Sequence, residues 1–389
     1  MRFSALLFSV ISLAPLQAQQ TLDPTFGTNG VVNTALDPGY DGAYAMVLQM
    51  DGKIVITGPS GTPGSLNVLV ARYNSDGTLD ASFGTNGVAT FNINGDDYGY
   101  AIALQADGKI VVAGSTKTGT NNDMLVLRLL SDGTLDTTFG TAGVVTEDGG
   151  SNNDKANAIA VRPDGHIVIG GNATTAGKEC FYLAQFNADG TLDDSFGTLG
   201  VMTHLVGTDN CQLNALSLLD DGRIVAAGSS FTTATQYDFA VCRYMADGSL
   251  DTTFNNTGKS VVVASTTNDN GYGVAVQTDG GIVIGGVQNS TSASAAIVTL
   301  ARLSADGTLD DTFGSEGLAH LFTGGSPTRA AQVVIQPDGA ILACGAASPS
   351  VMERDSYLCR VTSDGVPDAS FGVNGELIFG AVNLYRETP

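Results

Sequence analysis

Short apolar runs rich in Val, Ile, Leu and Ala are separated along this chain by clusters of Gly, Asn, Asp, Ser and Thr, a pattern that predicts many short β-strands joined by tight turns. Residues 88–92, 100–105, 109–115 and 124–130 are four such strands in one stretch. The second and third are joined through Ala106-Asp107-Gly108, a hairpin signal flanked by apolar runs, so the strands should meander antiparallel. After the fourth comes Leu135-Asp136-Thr137-Thr138-Phe139-Gly140, where Asp136 is placed to cap a single helical turn, Gly140 to end it, and Phe139 to be buried.

The same order of elements recurs. The aromatic residue falls at Phe26, Phe83, Phe139, Phe196, Phe254, Phe313 and Phe371, with gaps of 56 to 59 residues. An Asp-Gly turn recurs at Asp51, Asp107, Asp164, Asp221, Asp279 and Asp338, and another at Asp76, Asp132, Asp189, Asp247, Asp306 and Asp364. A four-stranded sheet of this size cannot bury both faces alone, so copies must stack face to face. A unit of about 57 residues with two hairpin turns fits a propeller blade better than the shorter rung of a β-solenoid. The expectation is an all-β, closed β-propeller of six four-stranded blades, with Phe83, Phe139, Phe196, Phe254 and Phe313 in equivalent buried positions. The Phe motif and its following strand occur once more than the other slots, so one extra strand copy, residues 31–34 or 377–379, is left at the termini and blade phase stays open.

The phrases Gln105-Ala106-Asp107-Gly108-Lys109-Ile110-Val111-Val112-Ala113-Gly114 and Arg128, Asp132-Gly133, Leu135-Asp136, Phe139-Gly140 resemble the delta-60 repeat family over nearly all of residues 20–380. That resemblance implies a bacterial cell-surface or secreted propeller and brings no active-site residues with it. Some relatives carry a C-terminal sorting domain, for which the residues after the last motif leave no room.

Charge narrows the partners. With 17 basic against 39 acidic residues the net charge is -22, which opposes nucleic acid and anionic lipid. Residues 1–18 read as a secretory signal peptide, from Met1-Arg2 through an apolar stretch to Leu16-Gln17-Ala18, leaving residues 19–389 as one propeller domain. No later stretch is long enough for a membrane-spanning helix, so the mature chain is expected to be secreted, extracellular, at the cell surface or periplasmic. Of the five cysteines, Cys242, Cys344 and Cys359 fall in slots held elsewhere by small apolar residues and read as buried hydrophobes, while a bond between Cys180 and Cys211 is left open.

Most recurring polar residues read as parts of the fold. The turn aspartates suit Asx turns, since an EF-hand register would put Arg72 and Phe83 at ligand positions. Arg72, Arg128, Arg243, Arg302 and Arg360, with Gln185 as the exception, should pair with motif carboxylates such as Asp80 or Asp136. The loop ahead of the second strand carries Asp41, Asp97, Asp154 and Asp269 in one slot, with Cys211 and Thr328 in the other two copies. Gathered around a propeller axis these acids would form a ring able to take a cation, weak calcium binding at most, or a hydroxyl-rich ligand; they are the binding candidates. Residues 59–67, 115–123, 229–238 and 288–295 differ most between copies and suit either specificity or inert tips. His166, His204 and His320 form no metal-ligand spacing, and Glu353-Arg354-Asp355 reads as a solvated loop. No catalytic constellation or cofactor motif emerges and no oligomeric state is fixed. The reading is a binding scaffold for an extracellular protein or glycan, with a hydrolase or lyase acting on a polysaccharide or other polymer as the alternative.

Overall fold

The computed structural model describes residues 22–36, 39–150, 152–289, 296–321, 326–350 and 353–379, and residues 1–18, read above as a signal peptide, lie outside them. Among the described residues the chain is a six-bladed β-propeller with no helix, each blade a four-stranded antiparallel sheet. Blade 1 holds Tyr40–Asp41 with Ala45–Leu48 as a broken first strand, then Ile54–Thr62, Ser65–Tyr73 and Val88–Phe91. Blade 2 is Asp97–Leu104, Ile110–Thr118, Asn121–Leu129 and Val144–Glu147; blade 3 is Lys155–Val161, Ile167–Thr175, Lys178–Phe186 and Val201–His204. Blade 4 is Cys211–Leu218, Ile224–Thr232, Gln236–Tyr244 and Lys259–Val262. Blade 5 is Asp269–Val276, Ile282–Asn289, Ala296–Leu303 and Leu318–Leu321, and blade 6 is Ser326–Ile335, Ile341–Ser350, Glu353–Val361 and Glu376–Phe379. The chain divides into two compact units, Leu22–Leu205 with Ala246–Ser249 and Val206–Met245 with Leu250–Pro389.

Blade phase is settled by the strand after the Phe motif, which joins the preceding three strands as the fourth of their sheet. Val144–Glu147, for instance, pairs with Asn121–Leu129. Glu376–Phe379 therefore completes blade 6, and the N-terminal motif around Phe26 is the extra copy. Residues 31–34 form only an isolated bridge there, between Thr28 and Val31.

The second and third strands of blades 2 and 3 are buried on both faces, which is why they read as unbroken apolar runs. Blades pack in pairs: Val111, Ala113, Val126 and Phe139 of blade 2 share one core with Ile167, Ile169, Tyr182 and Ala184 of blade 3. The glycine ending the Gln-x-Asp-Gly phrase lies opposite a bulge in the first strand, between Gly99 and Ala101 in blade 2. A Cβ on Gly114 would sit 1.7 Å from the Tyr98 carbonyl oxygen, and one on Gly171 would meet the Lys155 carbonyl at the same distance. Only glycine lets the bulged backbone approach this closely.

Three sequence expectations change. The segment after Asp136 is a chain of turns rather than a helical turn: Phe139 N–H donates to the Asp136 carbonyl, Gly143 N–H to that of Phe139, and Gly140 sits at φ +51°. The variable connections, expected as loops, are mostly strand. In blade 2 the ladder runs on to Thr118 and Asn121 around a two-residue tip, because alternating backbone pairing continues past the apolar core. Residues 353–355 likewise begin the third strand of blade 6 rather than forming a loop.

Candidate functional site

The two ends of each blade do different jobs. At the Asp-Gly end, Arg72 Nε donates to Asp80 at 2.7 Å, and its guanidinium lies 4.7 Å from the centroid of the Phe83 ring and also donates to the Ser131 carbonyl in the next copy. Arg128 repeats this with Asp136, Phe139 and Ala188, and Arg243 with Asp251, Phe254 and Ala305. The five Phe residues from Phe83 to Phe313 are fully buried. Gly133 closes over the Phe83 ring, and Gly84 N–H donates to the Asp132 carbonyl, so each motif is stapled to the turn of the following copy. The Ser82 hydroxyl, with Lys53 and Arg72, holds the Asp80 carboxyl well below the usual carboxylate range. In the copy with Gln185, Arg162 takes the missing role from another strand end: its Nε donates to Gln185 at 2.7 Å, and Gln185 in turn donates to Asp193. These residues are consumed by the fold.

The opposite end carries both the variable hairpins and the acidic slot, and loops bridge adjacent copies there. Leu66 N–H donates to Asp96, Asn122 N–H to Asn153, and Tyr237 N–H to Asn268, in each case the residue just before the slot of the next copy. Three slot acids cap their own loops. Asp41 accepts from Leu36 N–H and the Ser60 hydroxyl; Asp97 from Ile93 and Asn94 N–H and the Thr116 hydroxyl; Asp269 from Ala264 and Ser265 N–H and the Ser265 hydroxyl. Asp97 and Asp269 are wholly buried. Burial pushes the Asp269 carboxyl up to about 6.

Asp154 differs. It is also wholly buried, but neither carboxylate oxygen has a hydrogen-bond partner, and one lies within 4.8 Å of carboxylate oxygens of both Asp123 and Asp148. Burial, reinforced by Asp148 and Asp123, pushes its carboxyl up to about 6; the amides of Gly149 and Thr174 pull the other way without reaching hydrogen-bonding geometry. The slot pattern singled out Asp154 but missed Asp123 and Asp148. One readable signal was a departure from the repeat: Asp148 stands where other copies have Asn92, Leu205 or Val263; a second was Ala173 beneath a slot acid, where Asp41 and Asp97 face Ser60 and Thr116.

Beside the first two slots lies a group of tyrosines. Tyr44 and Tyr100 stack with centroids 5.9 Å apart and planes 4° from parallel, Tyr98 stacks on Tyr100 at 5.6 Å, and the hydroxyls of Tyr40 and Tyr44 are 3.0 Å apart. Tyr44 is 44% exposed, and the other three are half-buried. Burial raises the Tyr100 phenol to about 12 and, with Asp96, also raises Tyr98, so both are neutral hydroxyls near neutral pH rather than bases.

The cysteines and histidines form no site among the described residues. None of the five cysteines is in a disulfide, and burial pushes the thiols of Cys242 and Cys359 up to about 12. His166 lies between Asp164 and Asp193. His320 is 3.3 Å from the Thr299 hydroxyl, and His204 packs on the Phe181 ring. No described helix is long and apolar enough to cross a membrane.

Solved structures similar to this chain include the following three. A protein of unknown function from Dyadobacter fermentans shares 13% identity over 79% of this chain and 90% of that one, with a TM-score of 0.46. Polysaccharide lyase Uly1 shares 12% over 95% and 85%, at 0.48, and Sqt1 from Chaetomium thermophilum shares 12% over 86% and 72%, at 0.43. Likenesses of this size carry nothing about function. No curated protein matches the sequence. The profile described as "Domain of unknown function (DUF5122) beta-propeller" matches residues 49–83, 105–139, 162–196, 219–254, 277–313 and 336–371, each stretch running from beside the first Asp-Gly turn to the stapled Phe, and the chain belongs to that family.

Proposed function

We propose that the protein is a secreted or cell-surface binding scaffold, without catalysis of its own, whose ligand is a glycan carrying little charge. The observation that supports this most directly is the stack of Tyr44, Tyr100 and Tyr98 with Tyr40 beside it. Stacked tyrosines offer flat apolar faces and neutral hydroxyls at small entropic cost, a chemistry suited to sugar rings, which are apolar on one face and rimmed with hydroxyls. Asp41 and Asp97 fix the loops that lead into the strands bearing Tyr40 and Tyr98, so the acidic slot shapes the surface, and the wholly buried Asp97 carboxylate stays out of ligand reach. A chain of net charge -22 disfavours uronate-rich or sulfated polymers. The delta-60 resemblance and the signal-peptide pattern of residues 1–18 support the extracellular setting.

Glycan-array binding and affinity electrophoresis of the mature chain test this, with Tyr44→Ala and Tyr98→Ala as variants. Neutral glycans should be retained by the wild type and lost by both variants at unchanged melting temperature. Absence of glycan binding, or equal binding by the variants, would refute the reading.

A further inference from the structure

We propose that Asp123, Asp148 and Asp154 form a calcium site joining the second and third blades. Asp123 stands on the third strand of blade 2, Asp148 directly follows the fourth, and Asp154 immediately precedes the first strand of blade 3. One oxygen from each carboxylate lies within 4.8 Å of the others, a spread that one cation at the roughly 2.3–2.6 Å of a calcium–oxygen bond can bridge. Three hard oxygen donors, with no nitrogen or sulfur among them, select calcium over transition metals.

A cluster of acids alone would mean little, but Asp154 is wholly buried with both oxygens unpartnered and turned toward two further carboxylates. None of the three makes an ion pair with a basic side chain among the described residues. The neighbouring Glu147 adds further negative charge and is held by the Tyr182 hydroxyl at 3.0 Å. A buried, uncompensated carboxylate is costly, and a cation is the group that would offset it.

Comparison between copies shows how the site arises. Asp97 receives a hydroxyl from Thr116 across the first strand pair, and Asp41 receives one from Ser60. The corresponding residue for Asp154 is Ala173, so the acid is kept while its donor is lost. In the same copy Asp148 appears, and Gly149 leaves room: a Cβ there would be 3.3 Å from the Asp154 carboxyl carbon and 2.7 Å from Ala173. In the related pair, Ser265 holds Asp269, and Asp238 accepts from Thr235 on one oxygen while its other has no partner; no third acid joins them among the described residues. Hydroxyl capping in one copy is thus exchanged for cation capping in another. The inference is independent of the glycan reading.

Calorimetric titration of the chelator-treated full chain with calcium chloride, and in parallel with magnesium chloride, tests the site together with thermal melting. Calcium should give a binding heat and raise the melting temperature by several degrees, because a ligand held only by the native state stabilises it. Asp148→Asn, at an exposed position, should weaken calcium binding by about tenfold or more. Ala173→Ser, restoring the hydroxyl, should raise the melting temperature in chelator and shrink the gain from calcium. The proposal is overturned by absence of both heat and melting shift, by a calcium response unchanged in Asp148→Asn, or by an equal response to magnesium. No glycan enters the experiment, so its failure and that of the glycan reading are separate outcomes.

Discussion

Asp154 should leave a signature in the pH dependence of stability. Its folded carboxyl is raised from 3.8 to about 6, so between those values the native state holds a proton that the unfolded chain releases. Stability from this group is therefore present at the acidic end and lost as pH rises through the folded value. Asp123 and Asp148 face the same carboxyl, with Glu147 behind Tyr182, and their negative charges act in the same direction. Asp80 and Asp251 have the opposite sign: held low by hydroxyls and cations, they stabilise above the unfolded carboxylate range and lose that contribution in acid. The comparison must therefore be with Asp154→Asn. Between about pH 4.5 and 7 in chelator, the melting temperature of the wild type should fall relative to that of the variant. Calcium should remove the difference at the upper pH, since cation and proton compete for one carboxylate. A gap independent of pH would mean that Asp154 is ionised throughout.

At the level of the repeating element, the Arg–Asp–Phe staple was legible because its three residues recur at fixed spacing in copy after copy. Arg72, Asp80 and Phe83 could be assigned to one unit before any geometry was known. Its exception is more informative. Gln185 looked like a lost interaction, and only the structure shows that Arg162, from the turn between the first two strands of the same blade, donates to Gln185 and to the Ala246 carbonyl. The sequence carries the swap, Arg162 standing where other copies have Gln105 or Gln277, but not the contact, because the exchange passes between strands that neighbour in space. Arg162→Gln alone should cost about 1–3 kcal/mol by leaving buried acceptors without donors. Gln185→Arg alone should also destabilise, by placing a second guanidinium beside the first. The double variant restores the pattern of Gln105 with Arg128 and should recover most of the loss, giving a coupling on the order of 1–3 kcal/mol in a denaturant double-mutant cycle. Additive effects would show that the two side chains do not act together. The cluster of Asp123, Asp148 and Asp154 was illegible for the opposite reason: Asp148 has no acidic counterpart in the other copies, so a search for recurring residues passes over it.

For the whole molecule, blade number followed from counting copies, but the use of the odd copy depended on which strand joins which sheet. Because the strand after each Phe motif closes the sheet behind it, the N-terminal copy around Phe26 is left over from that count, and among the described residues it docks on the first blade. Gly27 N–H donates to the Asp76 carbonyl, the same link that Gly84 makes to Asp132, and Phe26 is 3% exposed. This copy nevertheless lacks part of the internal pattern. The position eleven residues before Phe83 is Arg72, whereas the described residues of the N-terminal copy, from Leu22 on, include no arginine ahead of Phe26. The Asp23 carboxylate, the counterpart of that of Asp80, accepts from the Thr25 N–H and hydroxyl but from no guanidinium among the described residues. Phe139, by contrast, has the Arg128 guanidinium 4.5 Å from its centroid and neighbours from two blades around it. Truncating Phe139 to Ala should cost about 3–5 kcal/mol, the range for a buried aromatic. Phe26→Ala should cost less, by at least the roughly 0.5–2 kcal/mol of a cation–π contact. Urea unfolding of the two variants against the wild type measures the difference, and an equal or larger loss for Phe26→Ala would mean that the N-terminal copy is held as firmly as the internal ones, by contacts other than the arginine.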